Sequence, residues 1–200
     1  MKALFITLFC FVLCATNASA QSPVATATGR TIDVSLGYSY VSRGDSHSNR
    51  VGLKGEDASF TFGASRLAIR ADLGYARAAD VLGTGRHSDV LSYLAGPAFY
   101  PTTHRHVDTY IHALVGGAKV TGPVLLNRGG FLSGGWVNKI AWAVGGGADY
   151  WISDSIAIRS GVDYMRTAYF DSSLATRSQN NIRTTATVVY FFRERSRRWR

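Results

Sequence analysis

Five histidines and two short polar clusters are the places where this sequence could carry out chemistry. Ser46-His47-Ser48 and His87-Ser88-Asp89 each set a hydroxyl beside an imidazole, and the second adds a carboxylate. A Ser-His-Asp nucleophile needs its base aligned on the hydroxyl and oriented by the acid, a matter of geometry and not of adjacency in the chain. Neighbouring residues supply only the composition, so no catalytic residue is assigned. His104-Arg105-His106, with His112 beyond it, raises a metal, because residues two apart share one face of a strand. A tetrahedral site wants a complete ligand set, and no Cys or close carboxylate cluster completes one here. The histidines therefore read as polar turn residues plus one interior imidazole, with no metal and no cofactor expected. The glycine runs Gly116-Gly117, Gly129-Gly130, Gly134-Gly135 and Gly145–Gly147 precede no helix, so they are not phosphate loops. Within strands, glycine eases bends and close packing.

A third group is cationic. Arg43, Arg50, Lys54, Arg77, Arg86, Lys119, Arg128 and Arg177 sit in or beside polar stretches that separate more regular segments. Arginine forms bidentate pairs with phosphate, so these are candidate contacts for a phosphorylated surface. An ordinary solvated loop surface is the other reading, since exposed charges alone say little. The formal net charge is +9, part of it from Arg193, Arg195, Arg197, Arg198 and Arg200 at the end of the chain. Basic balance can imply nucleic acid or an anionic membrane surface.

What must position these residues is set by two larger patterns. The first is an export signal at 1–20. Met1-Lys2 is followed by an apolar stretch from Ala3 to Ala15, then the small-x-small site Ala18-Ser19-Ala20. That stretch is shorter than the ~20 residues of a spanning helix. Both cysteines, Cys10 and Cys14, lie inside it, and neither follows the pattern of a lipid-anchored precursor. Export argues against nucleic acid as a partner. The expected organisation is a cleaved signal at 1–20, a short lead at 21–30, one β domain at 31–192 and a basic tail at 193–200.

The second pattern is period two, which places alternate side chains on opposite faces of a strand. Ile32, Val34, Leu36, Tyr38 and Tyr40 alternate with Asp33, Ser35, Gly37 and Ser39. Ala58, Phe60 and Phe62 oppose Asp57, Ser59 and Thr61. Ile69, Ala71, Leu73 and Tyr75 oppose Arg70, Asp72 and Gly74. Leu91, Tyr93, Ala95, Pro97 and Phe99 make a fourth apolar face. Ile111, Ala113 and Val115 oppose Asp108, Tyr110 and His112. Ile140, Trp142 and Val144 oppose Lys139, Ala141, Gly145 and Asp149. Ile156, Ile158, Val162 and Tyr164 oppose Arg159, Gly161 and Asp163. Ile182, Ala186, Val188, Tyr190 and Phe192 oppose Arg183, Thr185 and Thr187. Eight segments of about ten residues match tilted strands crossing a bilayer, ~9–11 residues each. Long polar connections are expected at 43–55, 77–89, 119–138 and 167–181, and short ones near 65–66, 101–105 and 151–155, the rhythm of outer loops and inner turns.

The apolar face could point inward, as in a soluble lipocalin-like barrel, or outward into lipid. The polar faces favour the second. An eight-stranded barrel has an interior just wide enough for side chains, and small residues beside paired charges fill it, with Asp33, Arg70, Asp72, Asp149, Arg159 and Asp163 as the expected interior network. Buried charges persist only when paired. Tyr and Trp gather near segment ends (Tyr40, Tyr75, Tyr100, Trp136, Trp151, Tyr164), as an interfacial girdle does.

The chain resembles the eight-stranded outer-membrane β-barrels of the outer-membrane protein A and X type, including opacity-like adhesins. The residues that carry the likeness are Ala71-Asp72-Leu73-Gly74-Tyr75, the run from Tyr110 through Gly116-Gly117 to Ala118, Gly145-Gly146-Gly147-Ala148-Asp149-Tyr150 with Trp151, Gly161-Val162-Asp163-Tyr164, and the closing run from Asn181 to Phe192. The resemblance implies an all-β, closed, antiparallel up-and-down transmembrane barrel with both ends periplasmic. It further implies a monomeric, non-enzymatic envelope protein of the bacterial outer membrane, presenting surface loops for interaction or adhesion. A narrow pore and a lipid-modifying enzyme are the alternatives, although the two last segments hold no histidine of the kind that enzyme uses. Implied partners are outer-membrane lipid and lipopolysaccharide, the latter through Arg43, Arg50, Lys54, Arg77, Arg86, Arg128 and Arg177. The barrel-assembly machinery is a third implied partner, reading Tyr190 and Phe192 as the terminal strand signal. The basic tail displaces that signal from the end of the chain.

Overall fold

The computed structural model describes residues 30–44, 50–64, 66–81, 85–103, 106–125, 131–133, 136–170 and 176–192. The expected signal, lead and basic tail lie outside these residues, apart from Arg30. Ten strands run in chain order: β1 Arg30–Gly44, β2 Arg50–Ala64, β3 Leu67–Ala78, β4 Ser88–Thr103, β5 Val107–Thr121, β6 Pro123–Leu125, β7 Phe131–Ser133, β8 Val137–Trp151, β9 Ile156–Phe170 and β10 Thr176–Phe191. Eight of them close in the order β1-β10-β9-β8-β5-β4-β3-β2, while β6 and β7 form a separate hairpin. Every barrel pairing is antiparallel, and closure is made by β1 against β10, from Asp33 opposite Phe191 to Arg43 opposite Asn181. Closure leaves the eight-stranded wall itself without an open edge.

The alternation read from the sequence sorts the two faces of this wall. On β3 every second residue is buried from Ala68 to Ala78, and the intervening ones are exposed. Leu36, Ile69, Leu73, Ile111, Val115, Ile140, Val144, Val162 and Val188 each leave more than half of their surface uncovered. Asp33, Asp57, Arg70, Asp149, Arg159 and Arg183 are fully enclosed. The apolar face is therefore the outer one. The fifth segment follows the rule: Ile111, Ala113 and Val115 face out, while Asp108, Tyr110 and His112 face in.

Two expectations are corrected. The strands are longer than ten residues, at 12 to 16, and they absorb most of the polar stretches read as long connections. Of the expected loop at 43–55, residues 43–44 and 50–55 are strand, and of that at 167–181, residues 167–170 and 176–181 are strand; the stretch 122–136 carries β6 and β7. The cause lies in the phase of the pattern. At the end of the barrel away from the short turns, the apolar residue moves to the inner face and the polar one to the outer. Leu53 is buried between exposed Gly52 and Lys54, and Val120 is buried beside exposed Lys119. Alternation with reversed phase does not continue the outward apolar stripe, although the backbone ladder runs on unbroken. The second correction is Lys139, grouped with the inner face but exposed near the mouth.

The interior is layered. Toward the loop end, Val41, Leu53, Val90, Leu94, Leu114, Val120 and Met165 form one apolar cluster. At the turn end, Ala157, Val189 and Phe191 pack with Trp151, whose ring centroid lies 4.2 Å from that of Phe191; Trp151 and Tyr100, read from the sequence as girdle residues, thus both face inward. The polar lumen lies between.

Candidate functional site

The six charged residues expected as the interior network all line this lumen, and Asp57, Arg183 and His112, read on the same polar faces, join that network. Two guanidinium centres organise the set. Arg159 on β9 is held bidentately by Asp149 of β8, with Nε 2.6 Å from Oδ1 and Nη2 2.8 Å from Oδ2. These two residues are direct cross-strand partners. Its Nη1 donates across the lumen to Asp33 of β1 at 3.2 Å. Arg183 on β10 donates from Nε and Nη2 to Asp163 Oδ2, at 2.9 and 2.6 Å. Its Nη1 bridges Asp57 Oδ2 at 3.0 Å and Asp72 Oδ1 at 2.6 Å. One side chain thus ties β10 to β9, β2 and β3. The planar fork of arginine suits this, because its donors lie in fixed directions that match several carboxylates at once.

Tyr110 stands between the two centres. The Arg70 and Arg159 guanidinium carbons lie 5.4 and 5.2 Å from its ring centroid, within cation–π reach, and His112 stacks on it at 5.7 Å. Glycine makes room for this ring. A Cβ on Gly147 or Gly161 would come within 2.8 or 2.6 Å of the Tyr110 hydroxyl. That accounts for part of the glycine run read from the sequence. His112 Nε2 sits 2.9 Å from Asp163 Oδ1. Arg70 approaches Asp72 at 3.4 Å.

Three arginines thus face five aspartates, every one nearly or wholly enclosed. Asp57 and Arg183 share the parity of their inward neighbours Ser59, Thr61, Thr185 and Thr187, and that parity was the signal for their membership. Their convergence across the barrel depends on strand stagger, which single-strand patterns do not reveal.

The clusters that raised catalysis come apart. Ser88 faces inward, donates to the Thr121 carbonyl and accepts from Arg43, whereas Asp89 on the opposite face receives the Tyr75 hydroxyl at 3.2 Å. Adjacent residues of a strand point apart, so hydroxyl and acid of this set do not converge. Asp89 instead anchors Arg77 at 3.4 Å and His87 at 3.5 Å. Ser46-His47-Ser48 and His104 lie outside the described residues, and His106 is exposed. Among the described residues, no group of three or more His, Cys, Asp or Glu is placed to hold a metal.

The candidate phosphate contacts divide. Lys54, Arg77 and Lys119 are exposed on the outer wall, and Arg86 is exposed beyond β3. Arg50 donates to Ser42 at 3.1 Å, and Arg43 turns to Ser88. Arg128 lies outside the described residues, as does the side chain of Arg177. The two residues of the terminal signal, Tyr190 and Phe192, both face out and meet edge to face at 5.2 Å.

A closed eight-stranded antiparallel barrel with an apolar outside and a salt-bridged inside has the fold of the eight-stranded outer-membrane barrels. Neisserial surface protein A shares it with a TM-score of 0.63 at 13% identity, over 81% of this chain and 98% of that one. Ail, the attachment invasion locus protein of Yersinia pestis, gives 0.54 at 15% identity over 82% and 99% of the two chains. The outer membrane protein OprG from Pseudomonas aeruginosa gives 0.53 at 13% over 82% and 97%. No family model matches the sequence, and no curated protein matches it.

Proposed function

We propose that this protein is an integral outer-membrane barrel of non-enzymatic function, a structural element of the envelope that offers its loop end for interaction. One observation carries the reading: the outer wall presents an uncharged apolar band. No charged residue faces outward from Tyr75 to Leu67 on β3, from Tyr164 to Ile156 on β9 or from Ile182 to Phe192 on β10. In water such a band would drive aggregation, whereas in hydrocarbon it is the required surface, with every backbone group paired around a closed wall. Tyr38, Tyr40, Tyr75, Tyr93 and Tyr164 border it toward the loop end, and Tyr150, Tyr190 and Phe192 toward the turn end, supporting interfacial girdles at both sides. The short turns, the start of β1 and the end of β10 then face the periplasm. Export through residues 1–20, a monomeric state, recognition of Tyr190 and Phe192 during assembly, and contact of the loop-end cations with lipopolysaccharide belong to the same proposal.

The test is fractionation followed by electrophoresis. The chain should be extracted from outer membranes only by detergent and should migrate faster unheated than boiled, because the closed barrel resists cold detergent. Recovery as a freely soluble species without detergent overturns the reading.

A further inference from the structure

The alternation of apolar and polar residues fixes strand register only in part. A slip by one residue turns every side chain of a strand to the wrong face, whereas a slip by two keeps each residue on its own face. Seven of the eight barrel pairings join barrel strands consecutive in the chain, so a connection limits how far each can slide. The eighth, β1 against β10, joins the two ends of the barrel and has no connection of its own. Its backbone ladder forms equally well two residues up or down. Its outward pairs Val34–Tyr190, Leu36–Val188 and Tyr38–Ala186 would only exchange one apolar neighbour for another. For eight strands the stagger at closure also sets the tilt and the bore, so this one register decides the geometry of the whole wall.

The ion pairs of the lumen divide by whether they cross this seam. Arg159–Asp149 and Arg183–Asp163 join neighbouring strands, β9 to β8 and β10 to β9, and a slip at the seam leaves them intact. Arg159–Asp33 at 3.2 Å, Arg183–Asp57 at 3.0 Å and Arg183–Asp72 at 2.6 Å join the last two strands to the first three. Their partners lie 126, 126 and 111 residues apart in the chain. A slip by two moves one side of the seam by about 7 Å at ~3.3 Å per residue, more than twice any of these distances. It would break all three pairs together and carry the enclosed carboxylates of Asp33 and Asp57 away from the guanidinium that each meets. A buried charge stripped of its partner is costly, a penalty that neither the ladder nor the lipid-facing wall imposes.

We propose that Arg159–Asp33, Arg183–Asp57 and Arg183–Asp72 are the register key of barrel closure: among the staggers of β1 on β10 that the alternation permits, they admit one. The first three strands bring these aspartates and the last two bring the arginines, so the match exists only once the wall has closed in the right place. This goes beyond the envelope role proposed above and does not depend on what the loop end meets.

The experiment reads the register by disulfide formation, in membranes of cells that make the full chain. Cys10 and Cys14, the two cysteines of the sequence, lie in the expected signal. Ala186→Cys is combined in turn with Tyr38→Cys, its partner in this register, or with Leu36→Cys or Tyr40→Cys, which face it only after a slip by two. All four positions are on the outer face, so the lumen is untouched. A disulfide needs Cβ atoms ~3.5–4.5 Å apart, so the three pairs report three staggers. With the lumen intact, the Tyr38→Cys pair should cross-link and the other two should give a trace. Asp33→Ala with Asp57→Ala and Asp72→Ala should raise the slipped cross-links at least about tenfold, the effect of losing even one charge-assisted hydrogen bond. Asp149→Ala with Asp163→Ala removes carboxylates equally buried but not across the seam. It should lower the urea midpoint and leave the cross-link at Tyr38→Cys. Asp33→Ala alone and Asp57→Ala alone should each slip less than the triple variant but above the trace, and they decide the matter if the triple variant gives no heat-dependent gel shift. Slipped cross-links that stay at the trace level in the closed seam variants overturn the proposal. So does an equal rise in the Asp149→Ala/Asp163→Ala variant, which would reduce the effect to general loosening.

Discussion

Replacing Arg183 with Met tests the charged lumen where it is most concentrated. The Arg183 side chain is 1% exposed and contacts Asp57, Asp72 and Asp163, which are themselves 4% exposed or less. Methionine keeps much of the length and removes every donor. Three carboxylates then face one another with only Arg70, 3.4 Å from Asp72, and His112, 2.9 Å from Asp163, to offset them. Breaking a buried pair by removing one partner costs ~3–5 kcal/mol, and here one substitution strips three partners, so the upper part of that range is expected. Adding Asp57→Asn and Asp72→Asn to Arg183→Met removes two of the stranded charges. It should recover at least half of the loss, because the cost comes from uncompensated charge and not from missing attraction. Reversible urea unfolding in lipid vesicles, followed by the heat-dependent gel shift, gives both values. A loss below about 1 kcal/mol for the single variant, the scale of an exposed pair, refutes the argument, and so does a triple variant no more stable than the single.

Three further outcomes follow from the layering. Val162, 55% exposed in the middle of β9, should tolerate Leu, whereas Val162→Arg should cost ~2–4 kcal/mol in vesicles, the range for a cation at the bilayer midplane; an unchanged midpoint would place that face outside hydrocarbon. Phe191→Ala should remove the ring that packs on Trp151 at 4.2 Å and cost ~3–5 kcal/mol, the range for a truncated buried aromatic, while Phe192→Ala, on the exposed face, should leave stability nearly unchanged and slow assembly. Planar-bilayer recording should show no steady ion conductance for the wild type, because apolar layers close the lumen at both ends. Leu53→Ser with Leu114→Ser should admit ions if the loop-end layer is the seal, and continued silence would assign the seal to the charged middle instead.

The sequence displayed the strands, their number and their inward faces wherever lipid and lumen impose opposite demands on neighbouring residues. On β3, Ile69, Arg70, Ala71, Asp72 and Leu73 could be sorted by chemistry alone. It hid the extent of the strands, since at Leu53 or Val120 the outward neighbours Lys54 and Lys119 reverse the phase and mimic a loop. The interior network was half legible. Asp149 and Arg159 sit near one short turn and pair across it, a local relation. Arg183 with Asp57, 126 residues apart, meets only because the wall closes.

The reversed phase also explains why charge is concentrated in the middle of the lumen. A buried salt bridge is seldom more stable than well-packed apolar residues of the same volume, so stability alone does not account for Arg159 and Arg183. If the lumen were apolar at the level where the outer wall is apolar, each strand would become an uninterrupted run of apolar residues. Such runs of about ten residues are half the ~20 of a spanning helix, but they lose the period two that specifies which face of each strand turns inward. Polar and charged inward residues break the run at every second position. Toward the loop end the outer wall turns polar, with Lys54, Arg77, Lys119 and Arg166 exposed, and there Leu53, Val120 and Met165 fill the lumen without creating such a run. On this argument the charged layer is the cost of fixing which face of each strand turns inward, and the apolar layer appears where that constraint lapses.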